Sequence, residues 1–182
     1  MAVLLDAPAR AALAEAAARL RAAAGAQTVS WTAPDNYHVT VKFLGNVDGG
    51  RVDAIAAALH DAARGQAPFT LVVGGLGAFP SATRPRVLWA GITAGGDALT
   101  TLAGAVDARL TQLGLPREER DFSPHVTIGR VRETRRFPGL AAALDGHGEL
   151  GRVAVDAVVL MRSELSPRGA RYTPLASAPL GG

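Results

Sequence analysis

Two four-residue segments, His38-Val39-Thr40-Val41 and His125-Val126-Thr127-Ile128, repeat one pattern 87 residues apart. In each, polar residues alternate with β-branched apolar ones, the period of a half-buried strand whose His and Thr share one face. Val and Ile then line the opposite, buried face. A chain carrying such a strand in each half must bury both apolar faces while leaving both polar faces open, which favours a sheet covered on one side.

The rest of the sequence supplies partners for that sheet. Residues 2 to 5 form a short apolar run, and after Asp6-Ala7-Pro8 the residues Leu13, Ala17, Leu20 and Ala24 recur at helical spacing up to Gly25. The strand signal at 38 to 45 puts Val39, Val41 and Phe43 on one face, with Phe43 expected in the core. Val52, Ile55, Leu59 and Ala62 predict a helix between Asp48 and Gly65. Strands are expected at 69 to 73 and 86 to 92, joined by a Gly and Pro rich stretch in which Gly74-Gly75-Leu76-Gly77 reads as a turn. From Asp97, read as an N-cap, a helix with Leu99, Leu102, Val106, Leu110 and Leu113 on one face runs to Gly114. A strand at 123 to 130, an Ala-rich helix after Pro138, and strands at about 150 to 164 and 171 to 176 complete the chain. Strands alternating with helices and tight turns give an α/β or α+β unit with no internal boundary.

Composition narrows the chemistry. With 182 residues, 48% hydrophobic and 19% charged, the chain can bury a substantial core. It has no cysteine, so disulfides, thiolate nucleophiles and Cys-ligated zinc are excluded. The net charge of +3 is compatible with an anionic partner, and of the 19 basic residues only Lys42 is a lysine. The N-terminal residues lack a secretory signal pattern and no long apolar run exists, so a cytoplasmic protein with no membrane partner is expected.

The repeated motif is where chemistry concentrates. Two strands that each present an imidazole beside a hydroxyl can flank one groove and act on a phosphodiester. One His takes a proton from water while the other protonates the leaving oxygen, and Thr hydroxyls donate to the non-bridging oxygens. An ordinary His pKa near 6.5 allows one ring to be neutral and the other charged near neutral pH. A cyclic phosphate suits this division of labour, and no metal or other cofactor is required by it. The residues alone do not say which His is the acid. Two other classes remain open: a metal hydrolase using both His with carboxylates, which lacks a carboxylate cluster, and a non-catalytic RNA-binding module.

Further segments carry a family resemblance. Asn36-Tyr37-His38-Val39-Thr40-Val41-Lys42-Phe43-Leu44-Gly45, Phe79-Pro80-Ser81, Arg84-Pro85-Arg86-Val87-Leu88-Trp89, Pro124-His125-Val126-Thr127 and the tail Arg162-Ser163-Glu164-Leu165 with Gly169-Ala170 and Tyr172 resemble, in order, the two-histidine (2H) phosphoesterase superfamily. The resemblance is to its bacterial branch, the RNA 2′,3′-cyclic phosphodiesterases, also called 2′-5′ RNA ligases. It implies a bilobal α+β fold in which two antiparallel sheets related by a pseudo-twofold flank a central groove, with helices on the outer faces. All of residues 1–182 would form one domain of two such lobes. It further implies hydrolysis of terminal RNA 2′,3′-cyclic phosphates to 2′-phosphates, with weak reversible 2′-5′ joining in some members; a monomer is expected. In that pattern His38 donates the proton to the leaving oxygen, His125 activates water, and Thr40 and Thr127 bind phosphate. Arg130 takes the place of an Arg usual five residues after the second His. Strict alternation puts Arg130 on the face opposite His125, so it reaches the site only if the strand ends or bulges near Gly129.

Other residues have plainer readings. His60 and His147 are expected to be solvated, and Arg130 to Arg136 to be a basic loop able to follow RNA phosphates. Trp31, Tyr37, Phe43 and Trp89 are candidates for base stacking. Asp35 and Asp121 are candidates for orienting the His rings.

Overall fold

The computed structural model describes residues 1–24, 29–132, 139–166 and 169–181. Its strands are β1 (Ala2–Leu4), β2 (Val29–Trp31), β3 (His38–Thr40), β4 (Phe69–Phe79), β5 (Val87–Ala94), β6 (His125–Val131), β7 (Glu149–Val155), β8 (Ala157–Ser166) and β9 (Gly169–Pro179). The helices are α1 (Ala7–Ala24), α2 (Val52–Arg64), α3 (Gly96–Gln112) and α4 (Leu140–Leu144). All strand pairs are antiparallel, in the order β7-β4-β5-β6-β3-β1-β8-β9, with β2 added against β6. The two antiparallel halves expected from the resemblance, β7-β4-β5-β6 and β3-β1-β8-β9, are thus hydrogen-bonded to each other through β6 and β3.

The helices exchange between these halves. α1, which follows β1, packs on β7 of the other half and on α4, while α2 and α3 pack together, with α2 over β8 and β9. Asp6 starts α1 by accepting from the Ala9 amide at 2.9 Å, and Leu13 and Leu20 are fully buried on its inner face. Leu99, Leu102, Val106 and Leu110 do the same for α3, as their spacing predicts. The sheet contributes Val39, Leu88, Ala90, Val126 and Ile128, all with zero exposure, to the same core cluster. No helix among the described residues is long and apolar enough to cross a membrane.

Several boundaries differ from the sequence reading. Gly74-Gly75-Leu76-Gly77 is not a turn: β4 runs through it to Phe79. The glycines serve close packing, for a Cβ on Gly77 would lie 2.2 Å from the Trp89 ring and one on Gly74 2.8 Å from the Gly148 carbonyl. Asp97 is not the cap of α3. Gly95, at φ +79°, occupies that place, and Asp97 sits within the first turn, where its charge faces the positive helix end. The strand expected at 150 to 164 is two strands divided at Asp156, where the chain passes from one half of the sheet to the other.

Phe43 is 77% exposed and not in the core. β3 ends at Thr40, after which the amides of both Val41 and Lys42 point to the Met1 carbonyl, at 2.9 and 3.4 Å. Two consecutive amides sharing one acceptor are a bulge, so Val41 and Lys42 are both buried and Phe43 emerges on the other face.

The glycine packing has a measurable consequence. Gly77→Ala is expected to lower unfolding free energy by about 1–3 kcal/mol through overpacking on Trp89. Gly104→Ala, exposed in α3 with nothing within 4 Å of the new Cβ, is expected to raise it by about 0.5–1 kcal/mol. Urea midpoints of the two variants check both signs.

Candidate functional site

Val39 of β3 stands opposite Val126 of β6, both with zero exposure. In an antiparallel ladder that register sets His38 beside Thr127 and Thr40 beside His125. The two motifs are therefore next-door strands related by a local twofold through the Val pair, and all four polar side chains share the face away from the helices. His38, His125 and Thr127 are half-buried and Thr40 is exposed.

Each imidazole is held in the same way. His38 Nδ1 lies 2.8 Å from the Asn36 carbonyl, and His125 Nδ1 lies 2.7 Å from the Ser123 carbonyl. A carbonyl can only accept, so Nδ1 carries the proton in both rings and Nε2 is left for chemistry. His38 Nε2 is 3.2 Å from Thr40 Oγ1. The groups proposed from sequence to orient the rings, Asp35 and Asp121, do not do so; main-chain carbonyls two residues upstream of each His replace them, and Asp35 lies 3.8 Å from Arg10 instead.

An aromatic ring braces each His edge-on. Tyr172 of β9 is 4.9 Å from His38 between ring centroids, and Phe79 of β4 is 5.2 Å from His125, with the Trp89 ring 5.0 Å from Phe79 and tilted to it by 33°. Burial lowers the His38 pKa, the Asn36 carbonyl partly offsets this, and the positive charges of the Met1 amine and His125 lower it further.

Arg130 is on the site face because β6 bulges. Thr127 pairs with Trp89 but Gly129 pairs with Leu88, so Ile128 is an extra residue, and both Ile128 and Gly129 are buried before Arg130 emerges exposed. Gly129 must lack a side chain there, since a Cβ would lie 2.8 Å from Val29 on β2. The bulges after Thr40 and after Thr127 occupy equivalent positions, so Phe43 is the counterpart of Arg130.

Other candidates separate from this cluster. His60 is exposed on α2, as expected. His147 is not free in solvent: it is half-buried, with Nε2 3.0 Å from the Ala143 carbonyl at the end of α4. Tyr37 is 3% exposed and belongs to the core, and Trp31 is half-buried with Arg21 over its ring, so neither offers an open stacking face. Residues 133 to 136 of the basic stretch lie outside the described residues. Sequence reasoning passed over Lys42, which is buried against Asp107 on α3; its one signal was being the sole lysine. Among the described residues no three His, Asp or Glu gather as metal ligands do.

The model of the LigT-like phosphoesterase family matches residues 3–89 and 92–172. An RNA 2′,3′-cyclic phosphodiesterase of Methanothermobacter thermautotrophicus is 36% identical over 149 residues, covering 81% of this chain and 80% of that protein. One of Thermus thermophilus is 32% identical over 188 residues, covering 100% of this chain and 89% of that protein. Among solved structures, TT0787 of Thermus thermophilus superposes with a TM-score of 0.82 at 31% identity, and E. coli LigT complexed with 3′-AMP with 0.76 at 26%. Each covers 100% of this chain and 96% of its own. Matched from its first strand to its last, with both His-x-Thr strands inside the matched residues, the chain belongs to the LigT-like family of two-histidine phosphoesterases.

Proposed function

We propose that the chain hydrolyses the terminal 2′,3′-cyclic phosphate of RNA to a 2′-phosphate, with His125 as base and His38 as acid and with no metal. The observation that carries this reading is the pair of imidazoles on adjacent strands, each anchored at Nδ1 by a carbonyl and each offering Nε2 to one face. Relatives named for this activity cover most of the chain and support the same substrate.

In this mechanism His125 Nε2 takes a proton from water as its oxygen bonds to phosphorus. The P–O3′ bond breaks, and His38 Nε2–H gives its proton to O3′, leaving a free 3′-hydroxyl and a 2′-phosphate. Exchange with solvent resets both rings. Thr40 changes role with His38: toward a neutral ring its hydroxyl donates to Nε2, and toward a protonated ring it accepts, which frees its proton for a phosphate oxygen. Thr127 donates from the other side, and Arg130 supplies positive charge where the phosphoryl oxygens become more negative. Phe43, exposed at the opposite rim, offers a stacking face to a base. A 5′-hydroxyl taking the place of water would give a 2′-5′ linkage, weakly and reversibly. The same reading treats residues 1–182 as one domain of two lobes, which the single core cluster spanning both halves supports, and as cytoplasmic and monomeric.

The lowered His38 pKa bears on the acid role. In the free protein His38 is neutral at neutral pH, and a phosphodiester anion beside it favours the charged form, so substrate recruits its own proton donor.

Three outcomes are expected. Incubation with an oligoribonucleotide 2′,3′-cyclic phosphate yields a 2′-phosphate by chromatography against both isomers, undiminished by EDTA; no turnover would favour an RNA-binding module. His38→Ala and His125→Ala each lower kcat by about a hundredfold or more, Thr40→Ala and Thr127→Ala by less, and His60→Ala not at all. Residual activity of His125→Ala keeps only a fall at alkaline pH, because only the acid remains; a fall at acidic pH instead would exchange the two roles. By NMR, His38 titrates below the ordinary 6.5, and its midpoint rises when inorganic phosphate binds and again in His125→Ala, since an anion is added in one case and a like charge removed in the other.

A further inference from the structure

Lys42 is the only lysine among 19 basic residues, and it is buried. Its ammonium contacts the Asp107 carboxylate of α3 and donates to the Pro116 carbonyl at 2.9 Å. The same Asp107 oxygen accepts from the Glu118 amide at 3.1 Å, and Arg117 lies 3.9 Å from its second oxygen. Burial pushes the Asp107 carboxyl up, but the bonds from Lys42 and Glu118 and the charges of Lys42 and Arg117 outweigh this and hold it below the usual carboxylate range.

The position of this pair in the chain gives it meaning. Lys42 lies two residues beyond Thr40, on the segment that carries His38. Residues 116 to 118 belong to the link from α3 to β6, the same link whose Ser123 carbonyl anchors His125. Between β3 and β6 the direct ladder consists of one residue pair, Val39 with Val126, a narrow hinge on which the two rings are set. We infer that the Lys42–Asp107 pair is a positioning device that braces the His38 strand against the segment delivering His125 and so fixes the separation of the two imidazoles.

Stability alone is a poor reason to keep such a pair. Replacing a buried ion pair by apolar groups of similar volume is often neutral or stabilising, because desolvation offsets the attraction. Directionality is what the pair adds: a compact ammonium with three tetrahedral donors ties a carboxylate and a carbonyl from two segments to one point. A planar guanidinium, the residue this chain uses at its 18 other basic positions (19 less Lys42), cannot fill that place in the same geometry. The counterpart of Lys42 after the second motif is Gly129, so the brace exists on one side of the twofold only.

The inference rests on the two-histidine reading, and the experiment separates the two. The apolar double variant Lys42→Met with Asp107→Leu is expected to fold with a Tm at or above the parent's, yet to lose tenfold or more in kcat with KM within about twofold. Lys42→Arg should likewise fold and lose kcat. Asp61→Asn, in an exposed pair with Arg64, is the control and should change neither. Should the double variant not fold, Asp107→Asn, which keeps an acceptor oxygen for Lys42 and Glu118, carries the same expectation with a smaller loss. Activity equal to the parent's in these variants, or a loss that only tracks a lowered Tm, would overturn the brace. A second readout needs no turnover: in the parent, His125→Ala is expected to raise the His38 titration midpoint, and in the double-variant background that response should shrink. An unchanged response overturns the inference even if the parent proves inactive on cyclic phosphates, a result that would count against the proposed activity alone.

Discussion

The contact between Val39 and Val126 governs the rest of the structure. A buried cross-strand pair of this kind contributes only about 0.2–1 kcal/mol, but it selects a register, and register decides which face every neighbouring side chain takes. A slip of one residue would send His38 and Thr40 into the core and Val39 to solvent. With both Val side chains fully buried against the same core as Leu88 and Ala90, that slip is strongly disfavoured, and the polar quartet is held open as a consequence of apolar burial beneath it. The hydroxyl nearest each imidazole across the ladder then comes from the other strand, which is how two separate motifs become one site.

Symmetry of scaffold and asymmetry of chemistry meet at this point. Hydrolysis needs one base and one acid, while a twofold pair of anchored imidazoles offers two equivalent groups. Both rings have Nδ1 committed to a carbonyl two residues upstream and an aromatic edge against them, so local anchoring does not distinguish them. Their surroundings do. Tyr172 of β9 lies against His38, and Asn36, whose carbonyl anchors that ring, is itself tied to the Ala170 carbonyl of β9 at 2.7 Å. Burial is the main effect on the His38 ring and lowers its pKa.

How much of this was legible in the sequence depends on whether the signal was periodic. The pairing of His with Thr and most of the inner faces of α1, α2 and α3 follow from residue spacing and agree with the structure, although β3 stops at Thr40 and Leu113 is 36% exposed. What spacing could not reveal was a departure from it. Phe43 reads as core because Val39, Val41 and Phe43 alternate; the shared Met1 acceptor that breaks the alternation belongs to a segment about 40 residues away. Gly74 to Gly77 read as a turn because glycine clusters do so on average, whereas here the Trp89 ring and the Gly148 carbonyl occupy the space side chains would need. The ring-orienting groups were sought among carboxylates, though main-chain carbonyls, which every residue carries, do that work. Lys42 and Asp107 are 65 residues apart, and a lone lysine among arginines gave a compositional hint without a partner.

The repeated bulge ties these departures together. It occurs after the same step of each motif, at Val41-Lys42 and at Ile128-Gly129, and in both strands it returns the fifth residue after His to the open face. A bulge that recurs at equivalent positions belongs to the motif rather than to local accident, because one extra residue is the minimum change that lets a short strand bury two successive residues and still present a third beside the His and Thr. The residues at those equivalent positions then diverge. Lys42 and Gly129 occupy the inner place, a charge facing α3 on one side and a bare backbone under β2 on the other. Phe43 and Arg130 occupy the outer place, a flat apolar ring on one rim and a guanidinium on the other. A nucleotide is a molecule with a flat base at one end and an anionic phosphate at the other, so under the proposed activity a twofold scaffold whose two rims differ in this way would give such a ligand one preferred direction across a nearly symmetric pair of histidines.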